Sequence, residues 1–152
     1  MNIVLFEPEI PANTGNIART CAVTGARLHL IEPLGFSLAD KYLKRAGLDY
    51  WEYLDLTIYK DIEDFFERNP GANCYYLSTK GERSYAEVDY GEEDYLIFGP
   101  ETRGLPMELM APHWGNVLKI PMGERFRSLN LSNSAAIVLY EALRQNGFKG
   151  LK

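Results

Sequence analysis

The sequence predicts an α/β fold, with a mainly parallel sheet flanked by helices in a single domain over residues 1–152. Three observations support this prediction. Short apolar runs rich in β-branched and aromatic residues alternate with stretches of helical spacing. Several of these runs are apolar at every position, as in strands that are covered on both faces. A length of 152 residues, 46% of them hydrophobic, suits one packed domain.

Five apolar segments are predicted as strands, because each is closed by proline, glycine, serine or a charged residue. They cover residues 3–6, 28–31, 74–77, 95–98 and 117–120. Four helices are predicted from start and stop signals, such as the capping pattern that begins at Ser37 and the Asn69-Pro70-Gly71 stop. They cover residues 16–23, 37–46, 61–68 and 132–146.

The last predicted helix is apolar on all sides in its first half, because residues 135–140 form an uninterrupted apolar run. A helix in a small domain needs only one apolar stripe, so this run implies burial on two sides. A second subunit is one candidate for the second cover, which predicts a homodimer. A loop of the same chain is the other.

Composition excludes several classes of protein. Cys21 and Cys74 lie in apolar segments without metal-ligand or disulfide-framework spacing, which predicts no metal site and favours a reducing compartment. We expect a cytoplasmic protein without a membrane partner, because the chain shows no leader pattern and no long apolar run. The net charge of −5 argues against nonspecific coating of nucleic acid, so any RNA site must be local.

Three loops rich in glycine, proline and serine follow three of the predicted strands, at residues 78–81, 99–104 and 121–129. Ligands of open α/β sheets bind at such strand ends, so these loops predict a pocket. The first loop of the chain offers only Gly15 where a dinucleotide fingerprint needs three glycines. The loop from Gly99 to Gly104 lacks the lysine of a P-loop. A nucleotide-binding oxidoreductase is therefore a weak alternative, and an NTPase is disfavoured.

Three segments of the chain carry a family resemblance. They read NTGNIART at 13–20, LIFGPETRGLP at 96–106, and IPM at 120–122 with SLNLSNS at 128–134. In order and spacing they resemble the three signature motifs of the SPOUT RNA methyltransferases. The chain looks like the minimal subfamily that methylates the wobble nucleotide of tRNA, as do the segments IEPLGF at 31–36 and KRAGLDY at 44–50.

The resemblance implies a SPOUT-type α/β knot, with a C-terminal trefoil knot around bound S-adenosylmethionine. Physical rules alone would predict an unknotted sheet, because chains generally avoid threading. The resemblance also implies 2′-O-methylation of a ribose in the tRNA anticodon loop. The methyl-donor site that it implies consists of Leu77, Gly99, Ile120 and Ser128, with Met122 and Leu129 close by.

Arg19, which matches the arginine of the first motif, is the expected catalytic side chain. A guanidinium is effectively never deprotonated in proteins, so an electrostatic role on the reacting ribose oxygen is favoured over that of a base. Tyr140, from the same or the other subunit, or the RNA phosphate would relay the proton. Without the motif, Arg19 would read as an exposed helix cation, and Tyr140 as a packed core residue.

Five cations are candidates for contact with tRNA phosphates. Lys41, Lys44 and Arg45 recur at helical spacing in the segment 37–46, and Arg125 and Arg127 lie in the third loop. A solvated surface is the ordinary explanation for such a stripe. Two functional alternatives stay open: methylation of another RNA, and a non-catalytic RNA-binding module that keeps the fold.

Overall fold

A computed structural model describes residues 1–152, apart from the side chain of Leu48. Its centre is a seven-stranded sheet in the order β3-β2-β1-β6-β4-β7-β5, in which every pairing is parallel. The strands are β1 Asn2–Phe6, β2 Arg27–Ile31, β3 Leu56–Tyr59, β4 Cys74–Leu77, β5 Arg83–Ser84, β6 Tyr95–Phe98 and β7 Val117–Lys119. The predicted α/β class with a parallel sheet is confirmed. The trefoil knot stays a prediction.

Helices cover both faces of the sheet. They are α1 Pro11–Thr24, α2 Lys41–Gly47, α3 Ile62–Arg68, α4 Met107–Met110 and α5 Leu131–Gln145, with 3₁₀ turns at Leu48–Tyr53, Tyr85–Glu87 and Ala111–Asn116. One core packs α1 and α5 against β-sheet residues such as Ile3 and Leu96. The other core packs Phe65 of α3 and Met110 of α4 against Val4 and Ile97. Neighbouring positions of one strand thus serve opposite faces, which explains the fully apolar strands. Among the described residues, no helix combines the length and apolarity needed to cross a membrane.

The strand prediction was incomplete at both edges of the sheet. β3 was missed because three of its four residues are only half-buried, so its sequence lacks a continuous apolar run. β5 has two residues, too few for any periodic pattern. The strand predicted at 117–120 ends at Lys119, so that Ile120 already belongs to the following loop.

Helix α1 begins at Pro11, five residues before its predicted start. Ile10 at the N-cap position makes no side-chain cap, which is why local signals failed. The oxygens of Glu101 instead accept the backbone N–H groups of Glu9 and Ile10, at 2.9 and 2.7 Å. A carboxylate from about 90 residues away therefore fixes this helix start.

Helix α2 begins at Lys41, not at Ser37 as the capping pattern predicted. Ser37 Oγ accepts the N–H of Ala39 and closes a separate turn. Asp40 Oδ1 accepts the N–H groups of Tyr42 and Leu43, at 2.8 and 3.4 Å, and so caps the helix. The predicted helices 61–68 and 132–146 are found within one or two residues of their expected bounds.

Candidate active site

A cavity of about 610 Å³ opens at the carboxyl ends of three adjacent strands, β6, β4 and β7. Its volume is in the range of sites for drug-sized ligands. The three loops that follow these strands form its walls, as the sequence predicted, and the start of α1 closes one side. The lining residues are Ile10, Asn13, Leu77, Ser78, Thr79, Lys80, Phe98, Gly99, Pro100, Glu101, Thr102, Arg103, Gly104, Leu105, Ile120, Met122, Arg127, Ser128, Leu129, Asn130, Leu131 and Ser134.

All six residues expected at the methyl-donor site line this one cavity. They are Leu77, Gly99, Ile120, Met122, Ser128 and Leu129. Residues separated by 52 positions of sequence thus lie around one space, which only the parallel arrangement of β4, β6 and β7 brings about. Their role in donor binding stays a prediction.

Gly99 allows the loop after β6 to fold back on itself. A Cβ at this position would lie 2.4 Å from the nitrogen of Leu105 and 2.5 Å from the carbonyl carbon of Gly104. Gly104 has a φ of 67°, a conformation that favours glycine. The two glycines explain how a short loop makes the tight turn that forms one cavity wall.

Glu101 is the hub of a set of contacts that we call the loop clamp. The clamp consists of Glu7, Glu9, Asn13, Glu101, Thr102, Arg103 and Asn130. Besides the two backbone N–H groups before α1, Glu101 accepts the side-chain amide of Asn13 at 3.2 Å. One carboxylate therefore joins the loop after β6 to the segment between β1 and α1.

A reciprocal contact doubles this connection. Glu9 accepts the backbone N–H of Thr102 at 3.0 Å and its hydroxyl at 2.8 Å. These bonds, the backbone one first, hold the pKa of Glu9 below its ordinary value. Arg103 and Glu7 add an ion pair at 2.6 Å between the same two segments.

Asn13 extends the clamp to the third loop. Its Oδ1 accepts the side-chain amide of Asn130 at 3.0 Å. Asn130 in turn caps α5, because its Oδ1 accepts the N–H groups of Ser132 and Asn133. Buried Asn13 therefore links all three signature segments.

Sequence reasoning did not single out Asn13, Glu101 or Asn130 as site residues. Each belongs to a quoted motif, but a polar residue in a glycine-rich loop carries no local sign of its partner. The sequence carried one local sign of Asn130. Asparagine is a preferred N-cap residue, and this one stands directly before the apolar helix.

Arg19 lies on the exposed side of α1 and does not line the cavity. It is six residues beyond Asn13, which corresponds to about 9 Å along the helix axis. Its guanidinium carbon lies 5.2 Å from the ring centroid of Tyr50, a cation–π contact that orients the side chain. Within one chain, the structure therefore separates Arg19 from the predicted donor site.

Tyr140 also lies outside the cavity, on the outer face of α5. The inner face of this helix is buried, whereas Ile137 and Tyr140 are 37% and 45% exposed. The ring centroid of Phe148 lies 6.5 Å from that of Tyr140, so the two aromatic side chains form part of one apolar surface. The chain thus buries one side of the apolar run 135–140 and leaves the other side exposed.

The predicted RNA-contacting cations are all exposed. Lys41, Lys44 and Arg45 lie on α2, which packs against α1 because Gly15 leaves room for it. A Cβ on Gly15 would lie 2.5 Å from the carbonyl oxygen of Leu43. Arg125 and Arg127 lie in the loop after β7, and Arg127 lines the cavity.

Neither cysteine is set up for chemistry. Burial raises the pKa of the thiols of Cys21 and Cys74 to about 12, so both stay protonated. Among the described residues, no group of three or more His, Cys, Asp or Glu side chains is placed to hold a metal ion.

Comparison with known proteins assigns the chain to a family. The SpoU rRNA Methylase family matches residues 1–140. The chain belongs to this family. Its members are methyltransferases, so the protein is an enzyme of this kind.

Three proteins that are similar to this chain are informative. A tRNA (cytidine(34)-2′-O)-methyltransferase of Saccharophagus degradans is 57% identical, with 99% of each chain covered. A solved structure concerned with 2′-OH methylation of C/U34 on tRNA superposes with a TM-score of 0.93 at 50% identity, covering 96% and 95% of the two chains. An AdoMet-bound rRNA methyltransferase from Sinorhizobium meliloti superposes with a TM-score of 0.83 at 29% identity, covering 94% of this chain and 55% of that one.

Proposed function

We propose that this protein transfers a methyl group from S-adenosylmethionine to the ribose 2′-hydroxyl of nucleotide 34, a cytidine or modified uridine, in tRNA. The observation that carries the proposal is the single cavity lined by all six expected donor-site residues. The relatives that match nearly the whole chain, and that act on position 34 of tRNA, support the choice of substrate.

The cavity suits the methyl donor in its chemistry. Leu77, Ile120 and Leu129 offer apolar surface for the adenine ring. Ser128, Ser78 and the backbone of the glycine-containing loops offer hydrogen-bond partners for the ribose and the amino acid group. When bound, S-adenosylmethionine supplies an electrophilic methyl group together with its own leaving group, so the protein needs to align the nucleophile and remove one proton.

Arg19 stabilises the negative charge that develops on the ribose oxygen. Its guanidinium stays protonated, and its planar fork can hold the neighbouring phosphate while facing that oxygen. The cation–π contact with Tyr50 restricts the side chain before RNA arrives. Tyr140 or the RNA phosphate relays the hydroxyl proton as the oxygen–carbon bond forms: the phosphate takes the proton up directly, whereas the neutral tyrosine passes its own proton on to solvent as it receives this one.

The active protein is a homodimer in this proposal. The exposed apolar surface of α5 around Ile137 and Tyr140 needs a cover, and a second copy supplies it. Since Arg19 and Tyr140 both lie outside the cavity of their own chain, a second subunit also offers a route by which these side chains meet a bound donor.

The substrate is the anticodon loop of tRNA, held by the exposed cations Lys41, Lys44, Arg45, Arg125 and Arg127. Unpaired loop nucleotides expose both the base and the 2′-hydroxyl, so a small protein can reach them. A tRNA substrate in bacterial relatives also supports a cytoplasmic location.

The test is methyl transfer from labelled S-adenosylmethionine to tRNA from cells that lack this enzyme, followed by mapping of the modified nucleotide. Label on the ribose of nucleotide 34 is expected. Label at another nucleotide, or in ribosomal RNA only, would replace the proposed substrate. Failure to bind the donor would overturn the enzymatic proposal itself.

The role of Arg19 is tested by Arg19→Ala and Arg19→Lys. We expect the alanine variant to lose roughly 100-fold or more in single-turnover rate, the size typical of a removed oxyanion contact. Lysine keeps the charge but loses the planar fork, so its rate should also fall well below that of the unaltered enzyme. A fully active lysine variant would refute the assignment.

A further inference from the structure

Phe126 is the most exposed of the large hydrophobic side chains, with 75% of its surface accessible. It stands in the loop after β7, whose backbone turns tightly here because the N–H of Phe126 donates to the carbonyl of Gly123 at 3.1 Å. The nearest heavy atoms to a Cβ on Gly123 would be those of the Phe126 ring, at 3.6 Å. The ring therefore has glycine beside it and solvent over most of its surface.

This ring lies at the rim of the cavity. Met122 and Arg127, on either side of it in the chain, both line the cavity. Phe126 itself does not line it and is largely exposed, so the ring lies outside the cavity and directly precedes a residue of its wall in the chain. A molecule whose reacting group enters the cavity would have its neighbouring parts next to this ring.

The charges around Phe126 favour a polyanion. Arg125 and Arg127 flank it, both are exposed, and among the described residues neither lies within 4.0 Å of a carboxylate. Glu124 is the one acidic side chain of the loop. Two cations beside an exposed aromatic ring are the combination that binds single-stranded nucleic acid, through phosphate pairing and base stacking.

The alternative of a subunit contact fits this ring less well. The exposed aromatic Tyr140 on α5 has apolar neighbours in Ile137 and Phe148, as the core of a subunit interface requires. Phe126 has charged neighbours on both sides, and interface cores are depleted of charge.

We propose that Phe126 stacks on the unpaired base of a nucleotide that flanks the methylated one, while Arg125 and Arg127 pair with the adjacent phosphates. The proposal rests on the proposed function, since it takes the methylated nucleotide to enter the cavity. Phe126 is a positioning residue for substrate: it holds the RNA strand at the rim and makes no contact with the reacting atoms.

The test compares Phe126→Leu and Phe126→Trp with the unaltered enzyme on a short anticodon stem-loop RNA. Leucine keeps an apolar side chain without a ring face, and tryptophan keeps the ring face. Stacking on one base contributes about 1–3 kcal/mol, so leucine should raise both the RNA Kd and KM roughly 5- to 150-fold. Tryptophan should stay within about threefold of the unaltered enzyme, and kcat should change little in either variant.

A second RNA locates the contact. Two further stem-loops each lack one base, either before or after the target nucleotide. One of the two should bind the unaltered enzyme more weakly, by the same factor that Phe126→Leu causes on the complete stem-loop. On that RNA, Phe126→Leu should cause no further loss, because the stacking partner is already absent.

Each result other than these is informative. Weaker donor binding by Phe126→Leu, measured without RNA, would mean that the ring covers the donor, and a change in oligomeric mass would mean a subunit contact; either overturns the proposal. Normal methylation with an unchanged RNA Kd in Phe126→Leu overturns the stacking and leaves the proposed function standing. RNA binding that depends on Phe126, without methyl transfer by the unaltered enzyme, overturns the proposed function and, with it, the place of the stacked base beside a methylated nucleotide; only the contact of Phe126 with RNA then stands.

Discussion

The protein contains two networks of polar side chains, and they connect different parts of the fold. The loop clamp joins segments at the carboxyl edge of the sheet, uses three carboxylates and is partly exposed. The second network, which we call the buried polar cluster, lies beneath α3 and consists of Asn2, His29, Tyr59, Asn69 and Tyr95. Five members of the first network line the cavity, whereas the second network is centred on the buried side chains of Asn2, His29 and Tyr59.

The buried polar cluster is a chain of hydrogen bonds that runs in one direction. Tyr95 donates to Asn69, Asn69 donates to Tyr59, Tyr59 donates to His29 Nδ1, and His29 Nε2 donates to Asn2, over 2.8 to 3.1 Å. Since the oxygen of Asn2 can only accept, His29 carries a proton on Nε2. Burial lowers the pKa of His29, so near pH 7 the ring is neutral and its Nδ1 accepts from Tyr59. We infer that the clamp serves function and the cluster serves stability.

The largest expected effect is the pH dependence of stability. Burial lowers the pKa of His29 from 6.5 to about 4. The unfolded chain thus takes up this proton first, so the contribution of His29 is complete above pH 6.5 and is lost as the pH falls towards 4. The loss should be on the order of 3 kcal/mol.

Urea unfolding at pH 7 and at pH 4, for the unaltered protein and for His29→Gln, measures this contribution. Carboxylates titrate over the same range in both proteins, so only the difference between the two is assigned to His29. If the unfolding free energy fell by the same amount between pH 7 and pH 4 in both proteins, a neutral His29 within this hydrogen-bond chain would be contradicted.

Tyr59→Phe should have the next largest effect. It leaves buried His29 Nδ1 without its donor, and a buried polar group without a partner destabilises by about 2 kcal/mol. The Asn69 amide keeps the carbonyl of Phe65 as an acceptor. The rate of methyl transfer per folded molecule should be unchanged. Tyr53→Phe, at a side chain that is 73% exposed, is the control and should keep its unfolding free energy. A lower rate with unchanged stability in Tyr59→Phe would reverse the proposed division of roles.

Glu101→Gln tests the clamp. Three donors face the two oxygens of this carboxylate, and an amide must turn its own NH₂ towards one of them. We expect the Kd for S-adenosylmethionine to rise about tenfold, close to 1.4 kcal/mol, by titration calorimetry. The same substitution at exposed Glu108 on α4 is the matched control. If Glu101→Gln bound the donor as tightly as the unaltered protein, the clamp would not be needed to shape the cavity for donor binding.

Glu7→Gln should have the smallest effect. The Glu7–Arg103 pair is partly exposed, so its loss should lower the unfolding free energy by less than about 1 kcal/mol, and added salt should reduce the difference. Glu92→Gln, which breaks the exposed pair with Lys149, should behave alike. A larger loss at Glu7 alone would indicate that the ion pair, and not Glu101, carries the clamp.

Local sequence patterns determined the fold class, the four longest helices and five of the seven strands. Apolar runs and caps such as Asp61 act over a few residues, so they can be read in sequence order. The family resemblance added the six residues that line one cavity. Periodicity alone could not have selected them, because their side chains carry no distinctive chemistry.

Tertiary structure decided the rest. The start of α1 depends on Glu101, which lies about 90 residues further along the chain, and the edge strands β3 and β5 exist because neighbours pair with them. Asn13 links the three signature segments only because the sheet order places β1, β6, β4 and β7 side by side. A hydrogen bond depends on distance in space, and local sequence rules contain no information about which distant residue will supply the partner.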